Sequence, residues 1–537
     1  MKKFISFALL IAGFTLLCIY FTEKTDVLGL ENLPFSASFS EENGQLSLSW
    51  RPLPYPCFYR VEAYFKTTGM LPDEPEYHLA DRSFTVHPYY RAAATAIPMY
   101  YRVTAYGLFG RLAGPSQLVS NPDFPSPPAP VPIFHYTKEH PASLMPYLVW
   151  HSVPEAVCYE VEILSAPPEN EQGTALSQQY HLFSTQQVYT NGWQADLTPF
   201  VNQAQLYWRV RALNLQKQPV GVFSKAEPLV CDPVQPIPNR PLLNDFDQMP
   251  NTQMPLYPVY HWIPMHNITR YEVELLTAPP LREHNTTPTP DRAWYMVAND
   301  SFSCYDEYAR PYAGEYYWRV RAIDDNGNTI GTYSDTDTFT VKTHLTRAYA
   351  AAFGDSITHG GGAVSYSPAN HEYNYMTYLD FPTLNLGRSG DTSHMTLLRF
   401  DADVLPYQPY NLLILTGSNN LRSDTTAEEI IADLAAIRQK CEENDIRPIF
   451  LTLMPIQPDN IYAAFQTETD PDWHAKMDKV NAYIRTQPFF IDLEPYFYDS
   501  QKHFMDTRLA TDGLHPDIRG KMLMAEIINR HAYLLRK

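Results

Sequence analysis

Four short segments in the last third of the chain carry residues that could perform nucleophilic chemistry. A serine hydroxyl becomes an effective nucleophile when a base takes its proton, and a histidine held by a carboxylate is the common base. Asp512 and His515 are three residues apart in "TDGLHP", so one loop could supply both groups, with Ser356 in "GDSITHG" as the nucleophile. The developing oxyanion needs fixed donors, and the N–H groups of Ser356 and Gly390 with the Asn419 amide would provide three. This set indicates acyl transfer through a serine.

Each of these residues also has a simpler structural interpretation. Ser356 suits a turn after a strand, and Gly390 suits a turn with positive φ, a conformation compatible with donating its N–H. Asn419 could cap the segment after it, Asp512 could be the N-cap of the last helix, and His515 could lie on the surface. The four segments together favour the chemical interpretation, because they stand in order within one domain.

The elements around these segments predict how they are brought together. From Ala348 onward, apolar runs such as "AYAAAF" and "NLLILTG" alternate with helical stretches. This alternation predicts a parallel sheet covered by helices on both faces, with the loops after the strands meeting at one edge. The clearest helices are "TTAEEIIADLAAIRQKCEEN", with Thr426 as N-cap, "DWHAKMDKVNAYIRT" and "IRGKMLMAEIINRHAYLL".

The same four segments resemble the four sequence blocks of the GDSL/SGNH hydrolase family. The resemblance spans about residues 346–537, and the blocks stand here at Gly354–Thr358, Asn385–Gly390, Gly417–Asn420 and Asp512–Pro516. It implies a three-layer α/β/α, flavodoxin-like domain without a cofactor. One departure is Asn420, where the family usually has an aspartate that mainly shapes the loop.

The resemblance also implies a role for each candidate residue. Ser356 would be the nucleophile, His515 its base and Asp512 the group that orients the base. Gly390 and Asn419 would complete the oxyanion hole with the Ser356 N–H. Family members deacylate short esters, acetylated polysaccharides, lysophospholipids and thioesters.

Other polar residues near the glycine-rich loops are assigned structural roles. We expect Asp355 to be a structural hydrogen-bonding group. His359, His371 and His394 are predicted to line a pocket or lie on the surface, because none has a carboxylate at the spacing of Asp512 and His515.

The middle of the chain repeats itself three times. Strand-like segments end at Trp50, Trp150 and Trp262, and each is followed nine residues later by "YRVEAY", "YEVEIL" or "YEVELL". A second echo, "YRVTAYG", "WRVRALN" or "WRVRAID", is present in each repeat. The period of 100 to 112 residues fits a tandem array of small domains, and the alternating pattern predicts half-buried strands of all-β sandwiches.

These repeats resemble fibronectin type III domains, which are immunoglobulin-like sandwiches. Proline-rich linkers, "PDFPSPPAPVP" and "CDPVQPIPNRP", separate them, whereas the junction before the last domain has no such hinge. The third repeat is therefore expected to pack against the C-terminal domain. The predicted domains are an N-terminal segment, three β modules and a hydrolase domain, at residues 1–30, 31–124, 125–235, 236–343 and 344–537.

The N-terminus and the composition bear on location and partners. "MKK" precedes 18 uncharged residues, Phe4 to Phe21, which predicts an uncleaved membrane anchor; a cleaved signal peptide or a lipoprotein at Cys18 are the alternatives. All three predict export. A net charge of −19 argues against a nucleic-acid partner and against electrostatic attachment to anionic membranes. The six cysteines are scattered singly, so we expect free buried thiols and no metal site.

The sequence thus predicts an exported serine esterase that acts on a small ester or an acylated glycan. The β modules could contact the glycan or other surface proteins. Its membrane contact would be limited to the N-terminal segment. Two alternatives remain: an O-acyltransferase that uses the same triad on a glycan, and a surface adhesion protein with an inactive hydrolase domain.

Overall fold

The computed structural model describes most of the chain from Ala37 to Arg536. The described residues are 37–42, 45–50, 52–53, 58–66, 77–91, 99–107, 110–113, 116, 119–120 and 129–536, the last apart from 154–155, 172, 204, 247–253, 342–346 and 363–366. The chain divides into two compact units, 1–127 and 128–537.

The described strands of the first unit form two antiparallel sheets. One is formed by β1 (Ala37–Glu42), β2 (Gln45–Trp50) and β5 (Tyr89–Arg91). The other contains β3 (Phe58–Lys66), β4 (Tyr77–Thr85), β6 (Met99–Gly107), β7 (Gly110–Ala113) and β8 (Val119–Ser120).

The second unit begins with two further pairs of antiparallel sheets, the second and third β modules. The second module contains β9 (Val131–Pro132), β10 (Tyr147–His151), β11 (Cys158–Leu164), β12 (His181–Val188), β13 (Gly192–Gln194), β14 (Leu206–Leu213), β15 (Pro219–Val220) and β16 (Glu227–Leu229). The third contains β17 (Leu242–Leu243), β18 (Val259–Ile263), β19 (Arg270–Leu276), β20 (Trp294–Asn299), β21 (Ser303–Tyr305), β22 (Gly314–Ile323), β23 (Thr329–Ile330) and β24 (Asp337–Val341).

The repeats seen in the sequence share one packing device. In each module the repeated tryptophan packs against the tyrosine nine residues later, and that tyrosine hydroxyl accepts a hydrogen bond from the main-chain N–H three residues after the tryptophan. The ring pairs are Trp50–Tyr59, Trp150–Tyr159 and Trp262–Tyr271, with centroids 5.0, 5.2 and 5.4 Å apart. The N–H donors are those of Leu53, Val153 and Met265.

The prediction that these strands are half-buried is wrong for the second and third modules. Glu162 and Arg209, on the charged face, are completely buried and form an ion pair with a nitrogen–oxygen distance of 2.7 Å. Phe223 covers the Arg209 guanidinium at 4.2 Å, and the loop carbonyl of Asn170 accepts a hydrogen bond from it. The alternation is present, but loops cover the charged face as well. Glu274, Arg319 and Tyr333 repeat the arrangement in the third module.

The described strands of the C-terminal domain form a five-stranded parallel sheet, as predicted. The order is β26-β25-β27-β28-β29, and every neighbouring pair is parallel. The strands are β25 (Ala350–Gly354), β26 (Thr383–Gly387), β27 (Asn411–Leu415), β28 (Arg447–Leu451) and β29 (Phe490–Ile491). The carboxyl ends of β25, β26 and β27 therefore lie side by side at one edge.

The three helices predicted from the sequence are present as α4, α6 and α7. Thr426 caps α4 through a reciprocal pair of hydrogen bonds with Glu429, as its position predicted. The α-helices are α1 (Ser356–His359), α2 (Ser393–Leu398), α3 (Phe400–Asp403), α4 (Ala427–Glu443), α5 (Pro458–Phe465), α6 (Trp473–Arg485) and α7 (Ile518–Arg530). Short 3₁₀ turns span Thr198–Phe200, His371–Tyr373, Tyr375–Tyr378, Asn420–Arg422, Glu494–Tyr496 and Ala532–Leu534.

The predicted anchor or signal segment, residues 1–30, lies outside the described residues, as do Cys18 and Cys57. None of the described helices combines the length and apolar character needed to cross a membrane. The described cysteines, Cys158, Cys231, Cys304 and Cys441, are free thiols, of which Cys158 and Cys441 are buried.

Candidate active site

The candidate nucleophile stands at a tight turn where β25 ends. Ser356 is the first residue of α1, and Asp355 caps that helix by accepting a hydrogen bond from the Ile357 N–H at 3.0 Å. At Gly354 a Cβ atom would lie only 1.8 Å from the main-chain oxygen of Leu415. A glycine is required there because β25 and β27 approach so closely at this edge.

A continuous hydrogen-bonded relay joins the serine to a buried carboxylate. Ser356 Oγ lies 2.9 Å from His515 Nε2, and His515 Nδ1 lies 2.8 Å from Asp512 Oδ2. Because a carboxylate only accepts, Nδ1 carries the proton and Nε2 of the neutral ring accepts from the serine hydroxyl. Asp512 is fully buried, and its Oδ1 accepts from the main-chain N–H groups of Leu514 and His515 at 2.8 and 2.7 Å.

The two predicted oxyanion-hole residues are in loops that touch one another. Gly390 comes after β26 and has a φ of +85°, as its turn position predicted. Asn419 comes after β27, and its Nδ2 donates to the main-chain oxygen of Asp391 at 3.0 Å. An amide NH₂ has two hydrogens, so this bond leaves a second donor on Asn419. The hydrogen bond fixes Asn419 against the residue next to Gly390.

Asn420, which departs from the usual aspartate of the family, still makes a structural hydrogen bond. Its side chain is buried, and its Oδ1 accepts a hydrogen bond from the Ser393 N–H at 2.8 Å. A carboxylate oxygen could accept the same bond, so the substitution keeps this contact between the two loops.

Comparison with protein families matches residues 352–523 to the GDSL-like Lipase/Acylhydrolase family. Residues 352–523 form a GDSL-like lipase/acylhydrolase domain. This domain makes the chain a serine ester hydrolase. The match contains every candidate site residue named from the sequence, and we refer to this part of the chain as the GDSL domain.

Solved structures resemble the GDSL domain over about a third of the chain. A lipase/acylhydrolase from Enterococcus faecalis is 22% identical, with 36% of this chain and 98% of that chain covered and a TM-score of 0.28. A catalytic mutant of an acetylxylan esterase from Geobacillus stearothermophilus is 19% identical, covering 36% and 100%, with a TM-score of 0.28. A GDSL-like lipase from Bacteroides thetaiotaomicron is 19% identical, covering 34% and 87%, with a TM-score of 0.27. No curated protein matches the chain significantly.

The structure confirms the expected role of Asp355 and corrects that of His359. Asp355 is fully buried as the α1 cap, and burial raises its pKa to about 6. His359 neither lines the pocket nor lies on the surface, because it is completely buried between the GDSL domain and the third β module. The prediction failed because it considered only a carboxylate partner, whereas His359 bonds to a main-chain oxygen and to Ser389.

The other two histidines differ in their exposure. His394 is largely exposed and pairs with Asp433 at 3.2 Å, which agrees with the predicted surface position. His371 is partly buried in a 3₁₀ turn, and burial lowers its pKa to about 4.

A buried lysine behind α1 was missed in the sequence. Lys521 of α7 is fully buried, and its Nζ donates to the main-chain oxygen of Ile357 at 2.8 Å. Burial lowers its pKa to about 7, although the nearby carboxylates of Asp355, Asp517 and Asp512 favour the charged form. The only signal was a lysine on the apolar side of a predicted helix, a position usually explained by an exposed amine.

Phe465 and Arg422 lie beside the relay and were also missed. The Phe465 ring packs edge-on against the His515 ring at 5.9 Å, and the Arg422 guanidinium lies 5.7 Å from the same phenyl ring. In the described part of the chain no cluster of His, Cys, Asp and Glu could hold a metal ion.

Protonation of His359 should destabilise the GDSL domain in mild acid. Burial, together with the nearby guanidinium groups of Arg399 and Arg388, lowers the pKa of His359 from 6.5 to about 4, although the hydrogen bond to the Tyr257 main-chain oxygen favours the charged form. The neutral ring stabilises the fold above the unfolded pKa, and that stability is lost as the pH falls toward 4. The free energy of unfolding should therefore fall by about 2 kcal/mol through His359 alone when the pH is lowered from about 7 to about 5.

Urea unfolding followed by loss of esterase activity tests this prediction at both pH values. His359→Gln should lose less stability on acidification than the wild type, by about that amount, because glutamine does not titrate. Equal losses in the two proteins would show that His359 does not carry this pH dependence.

Proposed function

We propose that this chain is an exported serine esterase that removes an acetyl or other short acyl group from an extracellular or cell-surface glycan. The observation that carries the esterase mechanism is the relay from Ser356 through His515 to the buried Asp512. The three residues supply a nucleophile, its base and the group that orients the base.

The mechanism is set by the donors and acceptors in the site. Ser356 Oγ attacks the ester carbonyl carbon while His515 Nε2 takes the hydroxyl proton. The carbonyl oxygen becomes an oxyanion, which the N–H groups of Ser356 and Gly390 and the free amide hydrogen of Asn419 stabilise. His515 then returns the proton to the departing alcohol, leaving an acyl-serine. Water, deprotonated by His515, releases the acid by the reverse sequence.

Three features support the location and the substrate class. The basic and apolar start of the sequence supports export, and the β modules, which we propose to be fibronectin type III-like, separate that start from the GDSL domain along the chain. Tyr308 and Tyr312 of the third module are 61 and 78% exposed. Exposed aromatic faces of this kind can pack on the C–H faces of sugar rings. Arg422 and Asn419 give the site polar neighbours suited to a hydrophilic alcohol.

Asn419→Ala tests the oxyanion hole. Removing one donor that strengthens in the transition state should lower kcat by about 10²–10³ while leaving KM nearly unchanged. Steady-state kinetics with p-nitrophenyl acetate measure both constants. Asn444→Ala is the matched control, because Asn444 lies exposed at the end of α4 and should retain the wild-type rate. A wild-type rate in Asn419→Ala would remove this amide from the site.

A substrate panel on the full chain tests the proposed class. We expect acetate release from acetylated oligosaccharides and a preference for acetyl and butyryl over decanoyl p-nitrophenyl esters. Transfer of a labelled acetyl group to an added sugar, in place of release to water, would instead identify an O-acyltransferase. A preference for decanoyl esters would contradict a short-acyl substrate.

A further inference from the structure

The loop that carries Gly390 is held from outside the GDSL domain. We call this loop, residues 388–391, the oxyanion loop, because the proposed function assigns the Gly390 N–H to the oxyanion hole. The Tyr305 hydroxyl, at the end of β21 in the third β module, donates to the main-chain oxygen of Ser389 at 3.0 Å. Ser389 immediately precedes Gly390, so a side chain of the β module bonds to the very peptide unit that contains the Gly390 N–H.

His359 makes a second connection between the third β module and the oxyanion loop. Its Nε2 donates to the main-chain oxygen of Tyr257 in the β module at 2.8 Å. Its Nδ1 accepts from the Ser389 N–H at 3.2 Å and lies 2.8 Å from the Ser389 Oγ. The Tyr305 ring packs edge-on against the imidazole at 5.5 Å. Because burial lowers the pKa of His359, the ring stays neutral and can accept at one nitrogen while donating at the other. His359 belongs to α1, the helix that begins with Ser356.

A third connection reaches the far side of the oxyanion loop. The Tyr257 hydroxyl donates to Asp403 Oδ2 at 2.7 Å, and the same oxygen accepts from Arg399 at 2.8 Å. Arg399 also pairs with Asp391 and donates to the Gly354 main-chain oxygen at 2.8 Å. Asp391 is the residue after Gly390, so both neighbours of the glycine are bonded into a network that ends in the β module.

The β module also covers the open edge of the parallel sheet. The edge strand is β26, and the Leu256 N–H donates to the main-chain oxygen of Asn385 in it at 3.0 Å. An uncovered edge strand leaves such groups exposed. Since the oxyanion loop begins where β26 ends, the module fixes both the strand and the loop after it.

We propose that the third β module is a working part of the active site: through Tyr305, Tyr257 and His359 it positions the Gly390 amide that receives the oxyanion. Glycine has no side chain to anchor it, and a donor must be held to within about 0.5 Å of its productive position. Tyr257 and Tyr305 are positioning residues, because they act through Ser389, Asp391 and His359 and not on the substrate.

Conservative variants of the full chain test this proposal. Tyr305→Phe and Tyr257→Phe each remove one hydroxyl and keep the ring. We expect kcat for p-nitrophenyl acetate to fall about 3- to 10-fold in Tyr305→Phe and about 10- to 100-fold in the double variant, with KM within about twofold of wild type. Tyr317→Phe, in β22 of the same module, removes a hydroxyl that bonds to Glu315 and is the matched control, which should match wild type.

A boronic acid inhibitor gives a readout that a merely structural role would not change. It forms a tetrahedral adduct with the serine, so its inhibition constant should rise in parallel with the loss in kcat. Unchanged kcat and boronate affinity overturn the proposal. A variant with a lowered Tm but a wild-type kcat, measured at a temperature well below that Tm, also overturns it. A raised KM with unchanged kcat also overturns it, because the tyrosines would then bind substrate.

The outcomes separate this proposal from the proposed function. If Asn419→Ala loses activity and the tyrosine variants do not, only the role of the β module fails. If Asn419→Ala and Ser356→Ala both retain full activity, the proposed function fails regardless of the tyrosines.

Discussion

Replacing Ser356 by alanine should lower kcat for ester hydrolysis by at least about 10⁴-fold, the largest effect expected of any single substitution. The variant lacks the Oγ that forms the acyl intermediate and that lies 2.9 Å from His515 Nε2 in the wild type. Substrate binding does not use this atom covalently, so the folded protein and its affinity for substrate should persist. Hydrolysis of p-nitrophenyl acetate and of acetylated oligosaccharides measures the loss.

Ser500→Ala provides the control for this prediction. Ser500 is an exposed serine of the same domain, and its removal should leave kcat unchanged. If Ser356→Ala and wild type hydrolyse both substrates at equal rates, the acyl-serine mechanism is wrong.

Replacing Asp512 by asparagine should lower kcat by about 10³–10⁴-fold, because the proton of His515 would be held on the wrong ring nitrogen. Oδ1 of Asp512 accepts from the N–H groups of Leu514 and His515, so an asparagine would keep its oxygen there and turn its NH₂ toward His515. His515 Nδ1 would then have to accept, its proton would move to Nε2, and Nε2 could no longer take the serine proton.

Two further proteins sharpen the test at Asp512. Asp459→Asn changes an exposed carboxylate at the start of α5 and should retain wild-type kcat. The double variant Ser356→Ala/Asp512→Asn should be no slower than Ser356→Ala alone, because the two residues act as one unit. Additive losses would show that Asp512 acts independently of the nucleophile.

The relay and the sheet could be predicted because each depends on short stretches of sequence. Asp512 and His515 share one loop, and Ser356, Gly390 and Asn419 each come directly after an apolar strand. Once the strands are parallel neighbours, the loops at their carboxyl ends must meet. The helix capped by Thr426 was equally local, since its cap and its partner Glu429 lie three residues apart.

The contacts that surround the relay could not be predicted, because they join residues far apart in the chain. His359 and Tyr257 are 102 residues apart, and Ser389 and Tyr305 are 84 apart. A single sequence gives no sign that a tyrosine hydroxyl in a β module will bond to a loop of another domain. The buried Glu162–Arg209 pair was missed for a related reason, since period-2 alternation does not reveal whether a loop covers the charged face.

Labelling with a fluorophosphonate tests whether Ser356 is the nucleophile. This reagent forms a stable adduct with an activated serine, and mass spectrometry of the digested full chain locates it. We expect one adduct, on the peptide that contains Ser356, with esterase activity lost in proportion to labelling and no adduct in Ser356→Ala. An adduct on another residue, or full activity after complete labelling of Ser356, would contradict this expectation.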